Sequence, residues 1–131
     1  MLLDTSGILC YFDKSEARHA DATRFFQAAP RRLTHNYVLA EFVPLCQARA
    51  LSRTSVLAFA EVLLDSPYVE VIWVSESLHR GALSLPQARL DQTYSLCDAV
   101  SFLLMRERGI TDALMIGRHF EQEGFVRLLK S

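Results

Sequence analysis

Three acids stand in places where acids are unusual. Asp4 ends the apolar run "MLLD" and is followed at once by two hydroxyls, Thr5 and Ser6. Glu41 lies in "NYVLAEF", among Val38, Leu39, Phe42 and Val43. Asp98 lies in "SLCDAVSFLLM", a segment apolar on nearly every side and so read as a central, buried helix. Each has an ordinary reading. Asp4 suits a turn residue capping the next helix, Glu41 a half-exposed helix position or an arginine's partner, and Asp98 a capping box with Ser95. Together, three carboxylates in buried-looking positions repel one another and rise in pKa. A hard cation removes that cost, and Mg²⁺ or Mn²⁺ accepts carboxylate oxygens plus water. Binding such a cation is the chemistry these residues suggest.

The elements that must position them follow from composition and periodicity. At 131 residues the chain reads as one domain over 1–131, with 50% apolar and 22% charged residues. A net charge of -1 excludes a broad basic field, so nucleic-acid contact would rest on local patches. Of 14 basic residues only Lys14 and Lys130 are lysine, leaving 12 arginines, which suit forked contacts with phosphate. Cys10, Cys46 and Cys97 are far apart and odd in number, as in a reducing compartment. No signal peptide precedes Asp4 and no apolar stretch nears the ~20 residues of a membrane span, so a cytoplasmic protein is expected.

"MLLD", "RRLTH", "YVEVIWV", "DALMI" and "FVRLL" read as strands. Helices are predicted over "SEARHADATRFFQAA", over "YVLAEFVPLCQARA" with Asn36 as cap, over "SRTSVLAFAEVLLD" capped by Ser52, and over "SESLHRGALSL" up to Pro86. A further helix, "SLCDAVSFLLMRERG", runs from Ser95 to a stop at Gly109. Strands alternate with helices and several are apolar on both faces. The expected fold is α/β, a three-layer α/β/α sandwich around a mainly parallel sheet of four to five strands. In such sheets the functional crevice lies beyond the carboxyl ends of the strands, where Asp4 falls. Phe25, Phe26, Phe42, Leu57 and Phe59 look like more large apolar residues than one sheet face needs, which suggests an interface.

"LLDTSGIL", "THNYVLAEF", "DQTYSLCDAVSFLLMRERGI" and "DALMIGRHFEQEGF", in this order and spacing, resemble the PIN domain family, in particular its VapC-type toxin ribonucleases from bacterial toxin–antitoxin pairs. The resemblance implies an endoribonuclease dependent on Mg²⁺ or Mn²⁺, with RNA as substrate, a small antitoxin as partner and a homodimer as assembly. It places the family's first three acids on Asp4, Glu41 and Asp98. Asp4 and Asp98 would be the main metal ligands, Glu41 would complete the ligand set or position the attacking water, and Thr5 and Ser6 would lie near metal-bound water or phosphate. Arg118 is the best candidate to hold the RNA backbone. The fourth acid is missing, since Gly117 stands two residues before His119 and Phe120 where relatives usually carry aspartate. Asp112 lies ~16 Å away along an extended strand. Asp91 matches a frequent family aspartate and is a possible auxiliary acid, though a loop or capping role suits it better. An inactive PIN-fold module that binds protein or RNA is the alternative. A receiver-like phosphoryl acceptor is disfavoured, because "YVEVIWVS" offers no acceptor aspartate.

Overall fold

The apolar runs pair edge to edge into one sheet. The computed structural model describes residues 1–130. In it β1 (Leu2–Leu3), β2 (Leu33–His35), β3 (Glu70–Ile72), β4 (Asp112–Leu114) and β5 (Val126–Arg127) form a five-stranded sheet in the order β3-β2-β1-β4-β5. Every pairing is parallel, with Leu2 opposite Leu33 on one side and Ala113 on the other. Around the sheet lie α1 (Thr5–Phe12), α2 (His19–Ala28), α3 (Asn36–Ala48), α4 (Arg53–Asp65), α5 (Glu76–Ala88), α6 (Leu96–Arg108) and α7 (His119–Gln122).

Alternation along β1 explains the layers. Leu3 joins a core with Ile8, Leu9, Val38 and Phe42, under α1 to α4. Leu2 points the other way, into a core with Leu33, Phe102, Met105 and Ala113 under α6. Both leucines are essentially inaccessible, and each such burial stabilises the fold by roughly 1.5–3 kcal/mol. The result is the expected α/β/α sandwich. Phe42 is fully buried, and Phe25, Phe26 and Phe59 pack partly buried against the same core. The expectation of surplus apolar residues therefore fails for these four, and only Leu57 is left exposed.

Helix ends show where local signals ruled and where tertiary contacts did. Ser95 and Asp98 form the capping box of α6, and Gly109 closes it at φ +65°. Ser52 caps α4 as expected, accepting from the Ser55 N–H. Asn36 does not cap α3. The helix starts at Asn36 itself, whose Oδ1 accepts a 2.7 Å bond from the Val74 N–H and ties the helix start to the end of β3. α5 does not stop at Pro86 but runs to Ala88, because proline removes only its own N–H and the Arg89 N–H still reaches the Leu85 carbonyl at 3.0 Å.

α1 was not expected as a separate helix. Its sequence, "TSGILCYF", has modest helix propensity, but Gly7, Ile8, Leu9 and Cys10 are buried. Gly7 makes this possible: a Cβ there would stand 1.8 Å from the Leu114 carbonyl oxygen, so only glycine lets α1 lie on the end of β4. The Asp4 N–H donates to that same carbonyl at 3.2 Å.

Candidate active site

The chain lays β1, β2 and β3 in one direction, then crosses to β4 and β5 on the other side of β1. The order reverses between β1 and β4, and a crevice opens at their carboxyl ends, as it must where neighbouring connections diverge. Here lies a cavity of about 530 Å³. Asp4, Thr5 and Ser6 enter it from the end of β1, Glu41 from α3, Asp98 from the first turn of α6, and Gly117, Arg118 and His119 from the turn after β4. Another cavity, of about 320 Å³ between Tyr11, Phe26, Phe59 and Tyr68, is lined by no acid.

The three acids share the cleft but differ in surroundings. Asp4 is 9% exposed. Its pKa is pushed up to about 7, first by burial, then by the charge of Asp98 and lastly by Glu41, while the Thr5 backbone N–H pulls it down. Asp98 Oδ2 accepts from the Ser95 N–H at 3.1 Å and meets His119 Nδ1 at 2.9 Å. Glu41 is exposed, contrary to the buried setting its neighbours suggested, because its side of α3 opens onto the cavity while Val38 and Phe42 turn inward. Thr5 Oγ1 donates to Glu41 Oε2 at 3.5 Å. Cys97, buried beside the acids, has its thiol pushed far up by burial and by their charges, so it is neutral and inert.

The remaining candidates divide. Ser6 lines the cleft, but its Oγ accepts from the Ile116 N–H at 3.0 Å and so ties α1 to the end of β4. Arg118 is exposed on the cleft rim and has no carboxylate partner among the described residues. Asp91 is exposed, accepts from Gln92 and is not part of the cleft wall. Asp112 is at the opposite end of β4, 3.7 Å from the N-terminal ammonium. Gly117 adopts φ +110°, a backbone conformation that favours glycine. Thr93 and its contact with His119 went unseen in the sequence, since the two are 26 residues apart and nothing local links them.

As placed, no three His, Cys, Asp or Glu side chains among the described residues converge on one ion. The donor set nonetheless fits a hard divalent cation in kind: carboxylates and hydroxyls face the cleft, and both His119 nitrogens are already engaged. Mg²⁺ is ordinarily held by one or two carboxylates and several waters, which Asp4 and Asp98 suffice to provide.

A parallel α/β/α sandwich with an acid-lined cleft at its switch point is the PIN architecture. The PIN domain family matches residues 1–120, and the chain belongs to that family. It is 33% identical over 129 residues to the 23S rRNA-specific endonuclease VapC20 of Mycobacterium tuberculosis, covering 98% of this chain and 97% of that protein. The same relative in a second strain matches equally. The crystal structure of Mycobacterium tuberculosis VapC20, described as a Sarcin-Ricin loop cleaving toxin, superposes with a TM-score of 0.86 at 32% identity over 95% of each chain.

Proposed function

We propose that this chain is a VapC-type toxin, an endoribonuclease that hydrolyses RNA phosphodiester bonds with Mg²⁺ or Mn²⁺. The observation that carries the reading is the buried Asp4 carboxyl, pushed up to about 7 by burial and by Asp98 and Glu41 in one open cleft. A fold gains nothing from that crowding, whereas a cation site needs it. Asp4 and Asp98 would hold the cation, which when bound supplies an acidified water and neutralises charge on the phosphate. Glu41, exposed and hydrogen-bonded to Thr5, positions the attacking water and takes its proton. Thr5 contacts phosphate or bound water, with a smaller part for Ser6. Arg118, which has no carboxylate partner among the described residues, holds the RNA backbone.

The relatives named for 23S rRNA and the sarcin–ricin loop support structured ribosomal RNA as the substrate class. A small antitoxin as inhibitor, a homodimer as assembly and the cytoplasm as compartment belong to the same reading. Among the described residues no helix is long and apolar enough to cross a membrane. Gly117 in place of a fourth acid lowers cation affinity, so cleavage needs more metal than in a four-acid relative. The alternative, an inactive binding module, rests on Gly117 alone. The test is incubation of the purified chain with intact 23S rRNA in Mn²⁺, with the new 5′ ends mapped. Discrete cuts that vanish in EDTA and in Glu41→Gln support the reading. Intact RNA at every Mn²⁺ concentration would sink it.

A further inference from the structure

Asp98 is held by more than its helix cap needs. The Ser95 N–H alone completes the capping box, yet His119 reaches the same oxygen, Oδ2, from the turn after β4. Among the described residues Oδ1 accepts no hydrogen bond. The other His119 nitrogen, Nε2, lies 3.1 Å from Thr93 Oγ1 in the loop before α6. The ring is fixed from its flanks too. Tyr94, buried in the core, meets it edge-on with centroids 5.3 Å apart, and the next residue, Phe120, is fully buried against Phe102.

We infer that His119, steered by Thr93, is a positioning residue that occupies Asp98 Oδ2 and leaves Oδ1 as the single oxygen Asp98 offers a cation. The inference rests on the reading of the cleft as a cation site. The hydrogen-bond chemistry admits one arrangement for the neutral ring. An ionised carboxylate has no proton to give, so Nδ1 carries the hydrogen and donates. Nε2 then has only a lone pair, and the Thr93 hydroxyl donates to it. The neutral histidine side chain in water favours the Nε2–H form, so the Thr93–His119–Asp98 line selects the less common tautomer. A carboxylate fixed this way binds through one oxygen in one orientation. Partners of metal ligands commonly act by restraining orientation, and losing one typically weakens binding about 10–100-fold.

Two readouts test it, and the first needs no metal. In a ¹⁵N–¹H spectrum of the metal-free protein, the neutral His119 ring should carry its proton on Nδ1, and Thr93→Val should shift the Nε2 resonance while Thr93→Ser restores it. Mn²⁺ titration is the second. His119→Ala and His119→Gln, whose amide nitrogen reaches only the Nε2 position, should weaken Mn²⁺ binding by about 10–100-fold. His119→Asn, whose amide nitrogen overlays Nδ1, should regain roughly tenfold over His119→Ala. A proton on Nε2, or His119→Gln binding as well as His119→Asn, overturns the inference. Mn²⁺ binding undiminished without His119 overturns it while sparing the cation site. A native chain that binds no Mn²⁺ overturns both.

Discussion

Asp4→Asn should make the metal-free protein more stable, and only above a predictable pH. The Asp4 carboxyl is 9% exposed and its pKa rises from 3.8 to about 7, with burial the largest cause and Asp98 the next. The folded chain therefore holds this proton more tightly than the unfolded chain. The associated stability is fully present below the unfolded value of 3.8 and is lost as pH rises toward 7. Each pKa unit is worth about 1.4 kcal/mol, so the native chain carries a penalty on the order of 4 kcal/mol at pH 8. Asparagine keeps the shape and cannot ionise. The difference in unfolding free energy between Asp4→Asn and the native chain should be near zero at pH 4, widen through pH 5 to 7 and level off above. The assay is urea unfolding in EDTA across that range. The difference between variants is the quantity to follow, because other groups titrate in the same window. His35, for instance, is lowered to about 4 by burial and so acts in the opposite direction. Saturating Mn²⁺ at pH 8 should close the gap, since a ligand at about 1,000 times its Kd stabilises the native chain by about 4.1 kcal/mol. A gap that is flat with pH, or widest at pH 4, would refute the reasoning.

Gly7→Ala should cost about 3 kcal/mol or more, read as a lower urea midpoint, because its methyl would fall 1.8 Å from the Leu114 carbonyl oxygen. A loss under about 1 kcal/mol would show that α1 can lift off β4 freely. Ala50, at φ +57° after α3, pays for a left-handed backbone, so Ala50→Gly should stabilise by about 0.5–1 kcal/mol in the same assay. Gly117→Asp should lose about 1–3 kcal/mol of stability to strain at φ +110° yet tighten Mn²⁺ binding by calorimetry. Unchanged Mn²⁺ affinity would show that Gly117 is not where the missing acid matters.

Much of the scaffold was legible because its signals are local. The β-branched and apolar runs became strands, and Ser95, Asp98 and Gly109 delimited α6 by cap chemistry that depends on a few neighbouring residues. Asp4 and Asp98 stood out for the same reason, as acids beside apolar runs. What stayed hidden depends on distant partners. α1 is helical because its buried face rests on β4, a contact only Gly7 permits. Asn36 turned from cap to cross-tie because the Val74 N–H needed an acceptor. The exposure of Glu41 depends on which side of α3 the rest of the fold covers, and the Thr93–His119–Asp98 line exists only once three segments meet. The positive φ of Gly117 belongs to the turn and could not be read from a missing aspartate.

Single-turnover cleavage of 23S rRNA against Mn²⁺ concentration, with the native chain, Asp4→Asn and Asp98→Asn side by side at pH 8, tests the cleft's role most directly. Asp98→Asn keeps the shape of the α6 cap and Asp4→Asn the core beneath it, so both variants should stay folded. The native chain should cleave with a rate that climbs with Mn²⁺ and disappears in EDTA, while each variant falls by at least about 100-fold. Cleavage by either variant at the native rate, or by the native chain in EDTA, would contradict a carboxylate-held cation as the source of the activity.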